Sequence, residues 1–392
     1  MVNCVNGGWK LPIGYFFIAG LTSNERANLT EICVEMLHEV GVKVVAVACD
    51  SPHVQLSMMR SLGSFMDPEK PDPQIFRDEE GPPIYHIQDA CHALKLIRNG
   101  WHFHKRIKNS KNEVIDWNFI EKLHELQRYE GLKCANKLSS NHVHFQNNKM
   151  KVKYAAQVMS RSVSLSLKYC RETLNLKEFR GSEATEEFLL RINDIFDLLN
   201  SRCKYSTSYY PMKNALSLEN KDIWLPAFEK TSNYLLGLKN MKGECLVKYD
   251  SRKIGFLGIL CNIAAIKYLF AQLVENGSMS YLCTYKLSQD PLEHFFGLIR
   301  TRFGANNNPT PYQFRNTFRK LLLGVTDSIV EFGNVVLQET SEFVALIPSV
   351  MDKVDYIYET YDFEELDVEK LKTYELSQFK SDIVDYIAGF VV

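Results

Sequence analysis

The run YKLSQDPLEHFFGLIR, residues 285–300, sets two carboxylates, Asp290 and Glu293, three positions apart, just ahead of paired phenylalanines and an arginine. On a helix that spacing is a turn of about 60° around the axis, so both acids point the same way. Leu292, Phe295, Phe296 and Ile299 form an apolar stripe beside them. Gly297 leaves room above Glu293, and Arg300 lies near the same polar face, well placed for a phosphate. A third acid, Asp50, ends the apolar run VKVVAVAC. An acid at a strand end and acids on a packed helix are the ligands that two Mg²⁺ ions, about 4 Å apart, need for in-line attack on a phosphodiester. A plainer reading stands beside this one. Asp290 as N-cap, Pro291 as the first helical residue and Glu293 at the third position make a capping box, and both charges favour the helix dipole. Asp50 with Ser51 and Pro52 also reads as a turn whose carboxylate bonds nearby backbone N–H groups.

The elements that must position these acids are legible around them. Residues 12–19 are dense in aromatic and β-branched side chains and predict a strand. Leu29, Ile32, Cys33, Met36, Leu37 and Val40 recur at helical spacing, and Gly41 is a natural stop. The continuous apolar run at 42–49 predicts a strand buried on both faces, with Asp50 at the carboxyl edge where α/β sheets collect functional groups. Residues 66–85, rich in Pro and Asp, read as a linker, and 86–240 as mostly helical. In IQDACHALKLIRNGWH, Ala90, Leu94, Ile97 and Trp101 share one face, while Lys95, Arg98 and His102 share another. MKVKYAAQVMSRSVSLSLKYC predicts one amphipathic helix. EATEEFLLRINDIFDLLNS predicts another, with Phe188, Ile192, Ile195, Phe196 and Leu199 inward. The segment 254–274 contains Lys267 and Gln272 and reads as a buried helix rather than a membrane span. Thr310, Pro311 and Gln313 predict a capped helix start.

With 392 residues, the chain has the length of two or three domains. Its net charge of −1 hides an asymmetry. Residues 91–180 carry 18 Lys and Arg against 7 Asp and Glu, and residues 331–392 carry 4 against 14. The middle suits polyanions and the tail repels them. Ten cysteines without a CxxC pair fit neither a zinc finger nor a disulfide framework, and read as reduced cysteines of an intracellular protein that is not secreted. The apolar stretch at 11–21, preceded only by Lys10, is too short and too weakly charged for a signal peptide. No GxxxxGK[ST] loop occurs, so P-loop nucleotide binding is excluded.

Taken in order, seven stretches resemble the P-element-type transposases, the family that includes the THAP-domain transposases. They are WKLPIGYFF (9–17), VVAVACD (44–50), IQDACHALKLIRN (87–99), KMKVKYAAQVMSRSV (149–163), IFDLLNS (195–201), SRKIGFLGIL (251–260) and TYKLSQDPLEHFFGLIRTRFGANNNPTPYQF (284–314). The resemblance implies an α/β fold: a ribonuclease H-like core split by a large, mostly helical insertion that binds guanine nucleotide. The division would be core at 1–65 and 251–325, insertion at 66–250, and an acidic C-terminal segment at 326–392. It implies an Asp, Asp, Glu triad holding Mg²⁺, with Asp50 as the second Asp, Glu293 as the Glu and Asp290 as the acid beside it. No Asp precedes Asp50, so the first acid has no counterpart, and the chain alone is expected not to cleave or join DNA at an appreciable rate. No Cys- and His-rich zinc domain precedes the core either. In the insertion, the match implies that Lys151, Val152, Phe196, Asp197 and Asn200 contact GTP or its Mg²⁺, with Lys137 a further contact. Phe196 as core and Asp197 as a solvated charge is the plain alternative. Arg300, Arg302, Arg315 and Arg319 are the DNA contacts expected near the acids. DNA, guanine nucleotide and a second copy of the chain are the expected partners, with no membrane, in the nucleus or cytoplasm. A non-enzymatic DNA- or nucleotide-binding module and a helical interaction scaffold are the competing functions.

Overall fold

The computed structural model describes residues 1–322 apart from 19, 51–52, 77–80, 131–133, 136, 207–209, 303–305 and 307. The acidic segment expected at 326–392 lies outside the described residues. The chain opens with β1 (Val2–Asn3) paired antiparallel to β2 (Lys10–Leu11). Residues 12–18 add no further strand. Their aromatics instead pack edge-on: Tyr15 lies 5.0 Å from Phe314 and 4.7 Å from Phe318, ring to ring. The helix α1 (Ser23–Glu39) starts at a Thr22–Glu25 capping box, and Gly41 ends it with a left-handed φ of 81°. Its inner face differs from the expected stripe. Ala27 and Val34 are buried, in one apolar cluster with Met58 and Met59 of α2 (His53–Ser61) and with Cys49, Ile75 and Ile84, whereas Ile32, Met36 and Val40 are exposed.

Between α1 and α2 runs β3 (Ala46–Cys49), and after α2 come β4 (Gln74–Ile75) and β5 (Ile84–Gln88). The sheet order is β3-β5-β4, with β3 parallel to β5 and β4 antiparallel. Residues 84–88, beyond the expected division at 65, thus belong to the same sheet as β3. The strand buried along its whole length is β5, not β3. β3 lies at the sheet's edge, and only Cys49 is fully buried. α11 (Ile254–Phe270) covers β5, its Asn262 side chain donating to the Gln88 carbonyl at 2.7 Å and accepting the Gln88 N–H at 2.8 Å. On its other side, α11 meets α3 (Ala90–His104) so closely that a Cβ on Gly255 would stand 2.9 Å from the Ala93 carbonyl oxygen. With the turn Ala271–Glu275 that continues it, α11 is apolar and long enough to cross a membrane, but most of that span is buried, as a core helix is.

Beyond α3 the chain forms the hairpin β6 (Arg106–Lys108) and β7 (Val114–Asp116), then α4 (Asn118–Glu130) and the short α5 (Ser140–Val143). The single helix expected from 150 to 170 is two, α6 (Val152–Val158) and α7 (Arg161–Glu172). Ser160 breaks it, its Oγ accepting the Val163 N–H at 3.3 Å as the cap of α7. α8 (Glu183–Leu199) packs on α7 and α9 (Lys221–Leu236), burying Phe188, Ile192, Ile195 and Leu199 as expected and leaving Phe196 half-buried. β8 (Leu216–Ser217) pairs with β9 (Tyr281–Leu282) across α10 (Leu246–Tyr249) and α11. α12 (Asp290–Thr301) and α13 (Pro311–Leu322) follow, and Thr310 and Gln313 make the reciprocal bonds of the predicted capping box.

Candidate metal and nucleotide site

Because β3 and β5 run parallel, their carboxyl ends open on one edge, and an acid follows each: Asp50 and Asp89. Asp89 caps α3, its Oδ2 accepting the His92 N–H at 2.8 Å. Its Oδ1 accepts the Gln289 N–H at 3.4 Å and so ties the head of α12 to the sheet. Asp290 then falls as the first residue of α12, with Gln289 in the cap position. The capping-box reading of Asp290 and Glu293 is therefore not what forms. Asp290 is buried and turns toward Arg202, whose Nη2 stands 3.5 Å from Asp290 Oδ2, because a buried carboxylate needs a cation or donor more than a helix end needs a cap. Carboxylate oxygens of Asp89 and Asp290 and the Sγ of Cys91 all lie within 4.8 Å of one another.

Burial and crowding leave these acids reluctant to ionise. Burial, then the charge of Asp89, pushes Asp290 up to about 6, with Arg202 pulling the other way. Asp89 is raised by burial against the His92 and Gln289 N–H groups and Lys95. Glu293 is raised by burial, with Lys95 as the main opposing charge. Asp50 is among the charges acting on both Glu293 and His92, so the acids of β3 and α12 share one electrostatic neighbourhood. Asp50 Oδ1 is buried with no hydrogen-bond partner among the described residues. This donor set fits a hard divalent cation: four carboxylates, from the ends of β3 and β5 and the first turn of α12, with Asp89, Asp290 and Glu293 raised and an orphaned oxygen on Asp50. Burial keeps the Cys91 thiol protonated, so the oxygens are the donors.

Asp89, Cys91, His92, Lys95 and Arg202 were not read as site residues from sequence. Reading IQDACHALKLIRN as helix from Ile87 hid Asp89, which is the strand-to-helix junction. Lys95 and Arg98, expected on a polar face, are both buried. Lys95 faces the acids, and Arg98 lies 4.0 Å over the Phe145 ring while donating to the Lys149 carbonyl at 2.7 Å.

The residues matched to nucleotide contacts fall on α6, on α8 and in the segment ahead of α5. Asp197 and Asn200 end α8. Burial raises Asp197 to about 6 against the pull of Lys213 and an Asn193 bond of 3.0 Å. Asn200 Oδ1 is buried and has no partner among the described residues. Asp194 accepts from the Tyr210 hydroxyl, and the Arg161 guanidinium lies 4.6 Å from the Tyr210 ring centre. Phe196 packs half-buried against the main core. Lys151 is the exposed N-cap residue of α6, and Val152 behind it is buried. Lys137 is exposed ahead of α5.

A buried seam joins the end of α8 to the acids. Ser201 N–H donates to Thr284 Oγ1 at 3.0 Å, Thr284 Oγ1 donates to the Leu198 carbonyl at 2.6 Å, and the Cys283 thiol donates to the Arg202 carbonyl at 3.3 Å. Thr284 opens the 3₁₀ turn Thr284–Leu287 that leads into α12. Of the arginines expected at DNA, Arg300, Arg315 and Arg319 are exposed and Arg302 is half-buried.

A parallel strand pair with acids at its carboxyl edge, a late helix bringing two more, and a helical body between them make a ribonuclease H-like core split by an insertion. Family models agree in order: a TNP-like RNase H N-terminal domain over 1–63, a TNP-like GTP-binding insertion domain over 91–212 and a TNP-like RNase H C-terminal domain over 285–319. The chain is 29% identical to human DNA transposase THAP9 over 326 residues, which is 80% of this chain and 34% of that protein. It is 26% identical to the Transposable element P transposase of Drosophila melanogaster over 408 residues, which is 100% of this chain and 50% of that protein. The chain therefore spans between a third and a half of the length of these relatives. The solved Drosophila P element transposase strand transfer complex superposes with a TM-score of 0.65 at 25% identity, over 79% of this chain and 66% of that one. The chain belongs to the P-element-type transposase family.

Proposed function

We propose that this chain is the metal-, guanine-nucleotide- and DNA-binding core of a P-element-type transposase. What supports the reading is the buried pair Asp89 and Asp290, whose oxygens lie within 4.8 Å of one another, with Glu293 one turn along α12 and Asp50 acting on it electrostatically. These four would hold Mg²⁺, which when bound supplies charge stabilisation for phosphoryl transfer. Lys95 offsets the excess negative charge and keeps the cluster foldable without metal. Asp197 and Asn200 would bind the nucleotide or its cation, Phe196 would offer a ring to the base, and Lys151, with Lys137, would meet phosphate. Val152 would set the wall behind Lys151. Arg300, Arg302, Arg315 and Arg319 would take the DNA backbone, and a DNA substrate would put the protein's work in the nucleus. Calorimetry on the full chain tests the reading. Mg²⁺ is expected to bind, and at least tenfold more weakly in Asp50→Asn and Asp290→Asn. GTP is expected to bind, and more weakly in Asp197→Asn, Phe196→Ala and Lys151→Ala. A chain that gives no heat with either ligand at millimolar concentration sinks the proposal.

A further inference from the structure

Arg202 belongs by sequence to the segment leaving α8, two residues past Asn200, yet its guanidinium reaches the acid cluster. Asp290 is its carboxylate partner among the described residues. The contact is long at 3.5 Å, and the two ends differ in access: the Arg202 side chain is 26% exposed and that of Asp290 is 8% exposed. The guanidinium also lies 5.5 Å from the Tyr285 ring centre, while the Arg202 backbone is held by the Cys283 thiol. A fixed backbone with a loosely bonded, part-exposed head is a cation that can change partners without the chain moving.

We propose that Arg202 is the resident counter-ion of the acid cluster, standing in for part of the charge of a divalent cation until a nucleoside polyphosphate at the end of α8 draws it away. This rests on the nucleotide reading for its second half only. A cation beside Asp290 opposes a dication at the same carboxylates. A polyphosphate offers the guanidinium shorter, charge-assisted, two-pronged bonds than a single carboxylate oxygen at 3.5 Å does. The two sites then share one charge, and what the nucleotide takes, the acids lose.

The test uses the full chain and two separate titrations, so that metal–nucleotide chelation does not intrude. Without nucleotide, Mn²⁺ is expected to bind Arg202→Met roughly tenfold more tightly than wild type, and Arg202→Lys like wild type. A residue that merely supports the fold would weaken Mn²⁺ on truncation, so equal or weaker binding by Arg202→Met overturns the proposal. In chelator, without metal, GTP is expected to bind several-fold more weakly to Arg202→Met and more tightly to Asp290→Asn, which frees the guanidinium. The Asp290→Asn gain should vanish in the Arg202→Met background. A gain that persists there overturns the shared-charge claim. If GTP gives no heat with any variant, the nucleotide reading and the second half fail, while the Mn²⁺ comparison still decides whether Arg202 is the counter-ion.

Discussion

Asp290 shows how burial converts a common residue into a sensor. Its pKa rises from an ordinary 3.8 to about 6, so the native state holds its proton over a pH window where the unfolded chain does not. The sign follows: stability from this group is fully present below about pH 4 and is lost as pH rises toward 6 and beyond. Asp290→Asn removes the charge that burial, Asp89 and Glu293 all oppose. Without metal at pH 7 it is expected to stabilise the chain by on the order of 1–3 kcal/mol, an advantage that shrinks to near zero by pH 4 in denaturant titrations. His86 and His102, both pushed down to about 4 by burial, act in the opposite direction and are common to both proteins, so the difference reports Asp290 together with the coupled Asp89 and Glu293. With saturating Mg²⁺ the order at pH 7 should reverse, since wild type then gains binding energy that the amide lacks. At this scale the sequence offered Asp50, Asp290 and Glu293 as candidates, by residue type and family pattern. It was not legible for Asp89 or Arg202. A strand-to-helix acid looks like any cap, and an arginine's partner 88 positions away has no local signature.

Helix and strand identity could largely be read from periodicity, but which face turns inward could not. The apolar stripe of α1 is real in sequence, yet it is Ala27 and Val34 that are buried, against α2 and the sheet. One periodic run became α6 and α7 because Ser160 offers a cap that a continuous helix would waste. The tightest element contact, α11 on α3, depends on Gly255. Gly255→Ala puts a methyl carbon within 2.9 Å of backbone atoms of Ala93 and Ile97, which cannot swing aside as a side-chain tip can. A loss of about 1–3 kcal/mol is expected in chemical denaturation, against the small gain alanine gives in an open helix. Thr284→Val removes a hydroxyl that both accepts from Ser201 and donates to Leu198. It should cost about 1–3 kcal/mol and weaken coupling between the α8 end and the acids, read as a smaller effect of GTP on Arg202 protection from a guanidinium-modifying reagent.

Taken whole, the chain is near neutral but not evenly so, and its basic stretch at 91–180 lies within the insertion matched at 91–212. The arginines on α12 and α13 stand apart from that stretch, near the acids in sequence. If DNA lies along them, binding should weaken linearly on a log–log plot against salt. The slope should fall by about 1.8 for the double variant Arg315→Gln, Arg319→Gln, since each phosphate contact contributes about 0.9. An unchanged slope would move the DNA track elsewhere.

One side chain gives the core a gauge. At Gln88 the β4 side of the ladder has run out, since β4 pairs only with Ile84 and Tyr85, and Asn262 supplies from a helix both the donor and the acceptor that a next strand would have offered. A backbone amide closed by a side chain of another element exchanges its hydrogen only when the two elements part. The Gln88 amide should therefore exchange as slowly as the slowest in the molecule, and its rate in deuterated buffer would report the separation of α11 from the sheet. Replacing Asn262 with Leu keeps the bulk but should free that amide to exchange early, long before the rest of β5.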